Sequence, residues 1–128
     1  MRLLLDTHVL LWAAARSRRL SRDARALLED AANDVYYSAA SIWEIAIKSS
    51  LGRTDFRIDP VVFERGLPGM DLIELPITGA HAAGVSRLPH FHRDPFDRLL
   101  VAQSIAEPLT LVTNDPLLER YTSNVRLV

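Results

Sequence analysis

Short apolar runs alternate along the chain with segments of helical periodicity. Leu3 to Leu5 reads as a strand, followed by a helix from about Thr7 to Ala15. Ser21 caps a second helix, SRDARALLEDAA, and Val35 to Ser38 forms a second strand. Ser41 starts the helix SIWEIAIKSSLG, which Gly52 terminates. Asp59-Pro60 opens a short helix, Leu72 to Ile77 reads as a strand, and Thr78 caps a helix ending before Pro89. Asp94 as cap and Pro95 at the first helical position open DPFDRLLVAQ. The strand TLVT, the helix PLLER and the strand VRLV complete the chain. Helix starts rest on cap and proline signals, strands on short apolar runs. Strand and helix in alternation predict an α/β fold, a short parallel sheet with helices on both faces. No repeat, low-complexity segment or linker divides it, and Thr54 to Asp59 is the expected soft joint.

At 128 residues the chain is long enough to bury roughly two-thirds of its unfolded surface. A hydrophobic content of 48% with 24% charged residues is that of an ordinary soluble domain. The net charge of -1 supplies no overall basic field, so basic character is local: Arg16, Arg18, Arg19, Arg22 and Arg25. This run reads either as a contact for RNA phosphates or as a solvated face paired with Asp23, Glu29 and Asp30. The absence of cysteine excludes a disulfide framework, a thiolate zinc site and a thiol nucleophile, and agrees with a reducing cytoplasm. MRLLLDTHVLLWAAA has the basic start and small-residue end of a signal peptide, but Asp6 and His8 interrupt its apolar stretch. No apolar run approaches the length needed to cross a bilayer.

Four acids fall at equivalent places in this scheme. Asp6 directly follows LLL, and Glu44 lies on the first turn of the helix after VYYS. Asp97 lies on the first turn of the helix opened by Asp94, and Asp115 directly follows TLVT. In a doubly wound sheet the carboxyl ends of strands and the amino ends of the following helices share one edge, where such folds bind ligands. Each acid has a capping explanation when taken singly. Glu44 fits a capping box with Ser41, Asp97 does the same for Asp94, and Asp6 and Asp115 suit N-caps. Capping does not require acids at all four places, since serine, threonine and asparagine serve as well. Crowded carboxylates also repel each other unless a cation holds them. A divalent ion among them is the expectation that covers all four.

LLLDTHVLLW, SAASIWEIAIK, DPFDRLLVAQ and LVTND occur in the order and spacing of the PIN domain. The chain resembles in particular the VapC-type toxins of bacterial and archaeal toxin–antitoxin pairs, over essentially its whole length. The resemblance implies a PIN-like domain over residues 1–128 and a cytoplasmic endoribonuclease dependent on Mg²⁺ or Mn²⁺. It also implies a homodimer neutralised by a cognate antitoxin. By motif match Asp6, Glu44, Asp97 and Asp115 take the positions of the family's acidic metal site, with Asp94 a further candidate. Thr7 and Thr113 stand where related proteins carry a hydroxyl that orients a carboxylate or water. Hard oxygen ligands suit Mg²⁺ or Mn²⁺ rather than zinc. Such an ion lowers the pKa of water and neutralises the leaving oxygen of a phosphodiester. Asp6, Glu44 and Asp97 are assigned as main ligands and Asp115 to a second ion or to water. The resemblance implies products with a 5′-phosphate and a 3′-hydroxyl.

Two other enzyme classes fail on particular residues. A haloacid-dehalogenase-type phosphatase needs a second acid where His8 stands and a well-placed lysine, whereas Lys48 is the only one. A dinucleotide-binding fold needs a glycine-rich turn where Asp6-Thr7-His8 stands. The alternatives that remain are a PIN-type RNA-processing nuclease without a toxin role and a non-catalytic PIN-like module that binds RNA or protein. His90-Phe91-His92 reads as a polar loop with solvated histidines, and His8 as a helix-start residue without function. Trp12 and Trp43 read as core.

Overall fold

Leu3, Leu4 and Leu5 are completely buried because β1 (Arg2–Leu5) is the central strand of the sheet. The computed structural model describes residues 1–128, the side chain of Asp55 excepted. The other strands are β2 (Asp34–Ser38), β3 (Ile73–Leu75), β4 (Thr110–Thr113) and β5 (Val125–Leu127). Their order is β3-β2-β1-β4-β5, and every pairing is parallel. The helices are α1 (Thr7–Ala14), α2 (Arg22–Glu29), α3 (Ala39–Ser50), α4 (Pro60–Gly66), α5 (Gly79–Gly84) and α6 (Pro95–Ala106).

Strand side chains alternate between two cores, as the period of two requires. Leu4 and Leu111 point to the face covered by Leu99 to Ala102 of α6. Leu3, Leu5, Val35, Tyr37 and Val112 point to the opposite face, against Val9 and Leu10 of α1 and Ala24 of α2. The predicted layers, helices on both faces of a short parallel sheet, are those observed. None of the described helices is long and apolar enough to cross a membrane.

Several local expectations change. Helix α3 begins at Ala39 with Ser38 as its N-cap, not at Ser41: Ser38 has extended backbone, and its Oγ accepts from the Ala40 amide. Chain direction thus reverses directly out of β2, and Ser41 and Glu44 fall inside the helix. Gly52 does end α3 as expected, in the left-handed conformation (φ 72) that glycine adopts without strain. Helix α2 stops at Glu29, before the predicted Ala32, because Asp30 turns to extended backbone. The PLLER segment is a 3₁₀ helix, Pro116–Arg120. Thr54 to Asp59 is no soft joint, since Phe56 within it is 1% exposed and anchors the segment. Trp43 is not core but 55% exposed, its ring packed edge-on against Phe96 at 5.1 Å. Trp12 is half-buried against the second core. Asp23 pairs with Arg126 at 2.8 Å, and among the described residues no ion pair joins the Arg16–Arg25 run to Asp23, Glu29 or Asp30.

Ser38 also donates to Gln103 Oε1 on α6, so one hydroxyl both caps α3 and ties it across the sheet. Gln103 is fully buried. Ser38→Ala removes the cap and leaves a buried acceptor unpaired. A loss of about 2–3 kcal/mol is expected, read by urea unfolding monitored by circular dichroism.

Candidate active site

The carboxyl ends of β1, β2 and β4 and the amino ends of α1, α3 and α6 meet at one edge of the sheet. Asp6 stands where β1 becomes α1 and is 6% exposed. Its Oδ1 accepts from the Val9 amide at 2.9 Å, and its Oδ2 accepts from the Thr113 hydroxyl at the end of β4. Burial pushes the Asp6 carboxyl above its ordinary range, against the lowering effect of Thr113 and the Val9 amide.

Glu44 is 2% exposed on the second turn of α3. A carboxylate only accepts, so the Thr7 hydroxyl 2.6 Å from Oε1 donates to it, and Thr7 lies 2.9 Å from Ser41 Oγ. Glu44 Oε2 is ion-paired with Lys48, whose Nζ is also 3.2 Å from Asp94 Oδ2. Burial lowers the affinity of Lys48 for its proton, but Glu44 and then Asp94 outweigh it and hold the ammonium above its ordinary range.

Asp94 is the N-cap of α6, accepting from the Phe96 amide at 2.8 Å and the Asp97 amide at 3.4 Å. Asp97 follows on the first turn. Among the described residues no hydrogen bond reaches its carboxylate, although the group is half-buried. Burial, and then the charges of Asp94, Glu44 and Asp6, push its pKa up to about 7, with His92 acting in the opposite direction.

Asp115 caps the 3₁₀ helix through Oδ1, which accepts from the Leu117 amide at 2.9 Å. Its Oδ2 lies 2.8 Å from His92 Nε2. The structure therefore gathers Asp6, Glu44, Asp94 and Asp97 into one electrostatic unit and sets Asp115 at its margin behind His92. Capping accounts for Asp6, Asp94 and Asp115. It does not account for Glu44, which is inside α3, nor for Asp97, which does not reach back to the Asp94 amide.

A protein-family model, PIN domain, matches residues 3–123. The chain belongs to the PIN domain family. The curated protein Ribonuclease VapC22 of Mycobacterium tuberculosis is 34% identical over 113 residues, which cover 88% of this chain and 85% of that protein. The crystal structure of VapBC2 from Rickettsia felis bound to a DNA fragment from their promoter matches with a TM-score of 0.70. That alignment spans 100% of this chain and 98% of the other at 18% identity, a likeness of fold.

In this PIN domain the hydroxyls of Thr7 and Thr113 each hold a carboxylate, Glu44 and Asp6 respectively. His92 corrects the expectation of a solvated histidine: its ring accepts from the Tyr121 hydroxyl at Nδ1 (3.0 Å) and its Nε2–H faces Asp115. This tautomer follows because the same hydroxyl oxygen already accepts from the Phe91 and His92 amides, at 3.1 and 2.8 Å. His90 is exposed, as expected. His8 is not isolated either; its ring packs 5.5 Å from Phe56 and 5.9 Å from Trp12. Arg98, one residue beyond Asp97, is buried and donates to the carbonyls of Pro89 and Val85, fastening the loop that carries His92. Lys48, His92, Tyr121 and Arg98 were not read as site residues from the sequence. Only the i, i+4 spacing of Glu44 and Lys48 offered a local signal.

Among the described residues, no three Asp, Glu or His side chains stand close enough in their present rotamers to chelate one ion. Glu44 is drawn to Thr7 and Lys48, and Asp6 to Thr113. The donor set itself fits a hard divalent cation. It offers carboxylate oxygens, and Asp97 among them lacks a donor and is crowded by like charge.

The raised Asp97 pKa has a definite consequence for stability. Its ordinary value is 3.8 and its folded value about 7, so the folded protein binds the proton more tightly. That contribution is full below the unfolded pKa and is lost as pH rises through the folded one. In EDTA, Asp97→Asn should therefore melt higher than the unsubstituted protein at pH ~8, by several degrees, with the gap narrowing towards pH ~5. Thermal melts at the two pH values check this; a gap that does not change with pH would be the contrary result.

Proposed function

We propose that this PIN domain is a metal-dependent endoribonuclease, the toxin of a toxin–antitoxin pair. The observation that carries the reading is Asp97: a half-buried carboxylate without a hydrogen-bond donor among the described residues, whose pKa burial, and after it the charges of Asp94, Glu44 and Asp6, raise to about 7. Such an arrangement is electrostatically unfavourable alone and favourable around a cation. A ribonuclease relative at 34% identity supports the reaction class, and a structural neighbour described as VapBC2 supports a protein partner.

Asp6, Glu44 and Asp97 are the residues that would hold Mg²⁺ or Mn²⁺, with Asp94 beside them and Asp115 serving a second ion or water. The bound ion supplies Lewis acidity, activating water and neutralising charge on the phosphodiester. This chain's own residues do the orienting. Thr7 and Thr113 fix one oxygen each of Glu44 and Asp6, and the Tyr121–His92 pair fixes Asp115. Tight burial of Asp6 and Glu44 excludes bulk water from the inner side of the cluster. The domain is proposed to span residues 1–128, to act in the cytoplasm as a homodimer, and to be neutralised by its antitoxin. A groove of about 440 Å³ lined by Leu11, Trp12, Ile58 and Phe63 offers apolar surface for a protein partner.

The purified protein should cleave RNA when Mg²⁺ or Mn²⁺ is present and lose all cleavage in EDTA. Asp6→Asn, Glu44→Gln and Asp97→Asn should each fall about a hundredfold or more in rate while remaining folded, and Asp115→Asn about tenfold. Expression of the active protein alone should arrest growth, and expression of Asp97→Asn should not. Cleavage that survives chelation overturns the metal reading. A folded protein that binds RNA and never cuts it is instead a binding module.

A further inference from the structure

Lys48 is the only lysine in the chain, among fourteen arginines. It lies one helical turn beyond Glu44 on α3, and its side chain is 14% exposed. Its ammonium contacts Glu44 Oε2 and lies 3.2 Å from Asp94 Oδ2. Two rings enclose it: Nζ is 5.1 Å from the centroid of Phe56 and 5.9 Å from that of Phe96. Phe56 and Phe96 are 1% and 7% exposed, so the walls around the ammonium are fixed.

An i, i+4 pair on a helix surface contributes only a few tenths of a kcal/mol, because water screens it. This pair differs, since the Glu44 side chain is 3% exposed and the interaction is poorly screened. The remaining Glu44 oxygen is taken by Thr7. Both oxygens of a residue assigned to hold a metal are thus already engaged, one of them by a positive charge. Any cation that takes Glu44 must displace or share Lys48 and tolerate the ammonium beside it.

We propose that Lys48 is the resident counter-ion of the acid cluster and competes with the divalent ion for Glu44. In the metal-free protein it relieves the repulsion of Glu44 and Asp94. In the loaded protein it sets an upper limit on metal affinity. This rests on the metal-nuclease reading and adds Lys48 to it as a positioning residue acting through Glu44 and Asp94. A lysine suits the role better than arginine: its compact charge swings on a flexible stem, whereas a guanidinium fork would hold the carboxylates in a fixed bidentate pair.

Calorimetric titration of Mn²⁺ into EDTA-stripped, RNA-free protein tests the competition apart from catalysis. Lys48→Met keeps the stem packed between the rings and removes the charge, and should bind Mn²⁺ roughly three- to tenfold tighter. Lys48→Arg keeps the charge and holds the carboxylates more firmly, so it should bind Mn²⁺ no tighter than the unsubstituted protein. Equal or weaker binding by Lys48→Met overturns the proposal. A second measurement uses the unsubstituted protein, so folding of a variant does not enter. Isotope-labelled lysine gives side-chain signals from Lys48 alone. Saturating Mg²⁺ should move its ε-methylene resonances towards those of free lysine. Resonances that stay fixed while Mg²⁺ binds overturn the Lys48 proposal alone. No detectable Mn²⁺ or Mg²⁺ binding by the unsubstituted protein overturns the nuclease reading and the proposal with it.

Discussion

Carboxylates brought together with little water at one sheet edge are the constraint around which this protein is organised: for Asp6 and Asp97, burial first and neighbouring negative charge after it oppose ionisation. Asp6, Asp94 and Asp97 come from two helix starts, those of α1 and α6, and Glu44 from the interior of α3, and their like charges add to the cost of charging Asp6 and Asp97. The compensations are specific. Asp6 receives an amide and a hydroxyl, Glu44 a hydroxyl and an ammonium, and Asp94 two amides and the same ammonium. Asp97 receives nothing comparable and carries the residual strain as a pKa near 7. Under the proposed metal-dependent reading, this one unsatisfied member is where a cation would relieve the most unfavourable charge. Strain kept at one place is the usual mark of function rather than of stability.

The sheet makes this concentration possible. All five strands are parallel, so every strand delivers its carboxyl end, and every following helix its positively polarised amino end, to the same edge. The central position of β1, between β2 and β4, brings Asp6 within reach of Thr113 on one side and Thr7 within reach of Glu44 on the other. Two of the acids, Asp6 and Asp94, work at once as helix caps and as members of the cluster. Their capping bonds lock the carboxylate orientations at no additional conformational cost, because the helix start is already fixed.

Support for the cluster reaches well behind it. Ser38 caps α3 and donates to Gln103 of α6, while Gln103 Nε2 approaches His81, which is 1% exposed. His81 accepts from the Thr78 amide at Nδ1, which leaves Nε2–H to donate to Glu107 at 2.7 Å. This polar seam spans α5, α6 and the start of α3, so the helix that carries Glu44 and Lys48 is registered against the helix that carries Asp97. A buried network of this kind is stabilising only when complete, and here no buried side-chain polar atom among the described residues lacks a partner.

The order of elements, both faces of helices and the acids at the strand ends were legible in the sequence because they follow from local rules. Short apolar runs, cap residues and proline positions are set within a few residues of one another. The family motifs singled out the acids proposed to hold the metal. What the chain's local pattern could not decide was which capping signal wins: SAAS offers Ser38 and Ser41 alike, and it is Ser38 that caps α3 while donating to Gln103, 65 positions away. The fates of Trp43, His92 and Lys48 were likewise undetermined, since burial and charge partners depend on Phe96, Tyr121, Asp115 and Asp94, which lie far away in sequence. Sequence fixes residue type and local conformation. The electrostatic environment of a carboxylate is a sum over distances in space, and those distances exist only after the sheet has brought its strand ends together.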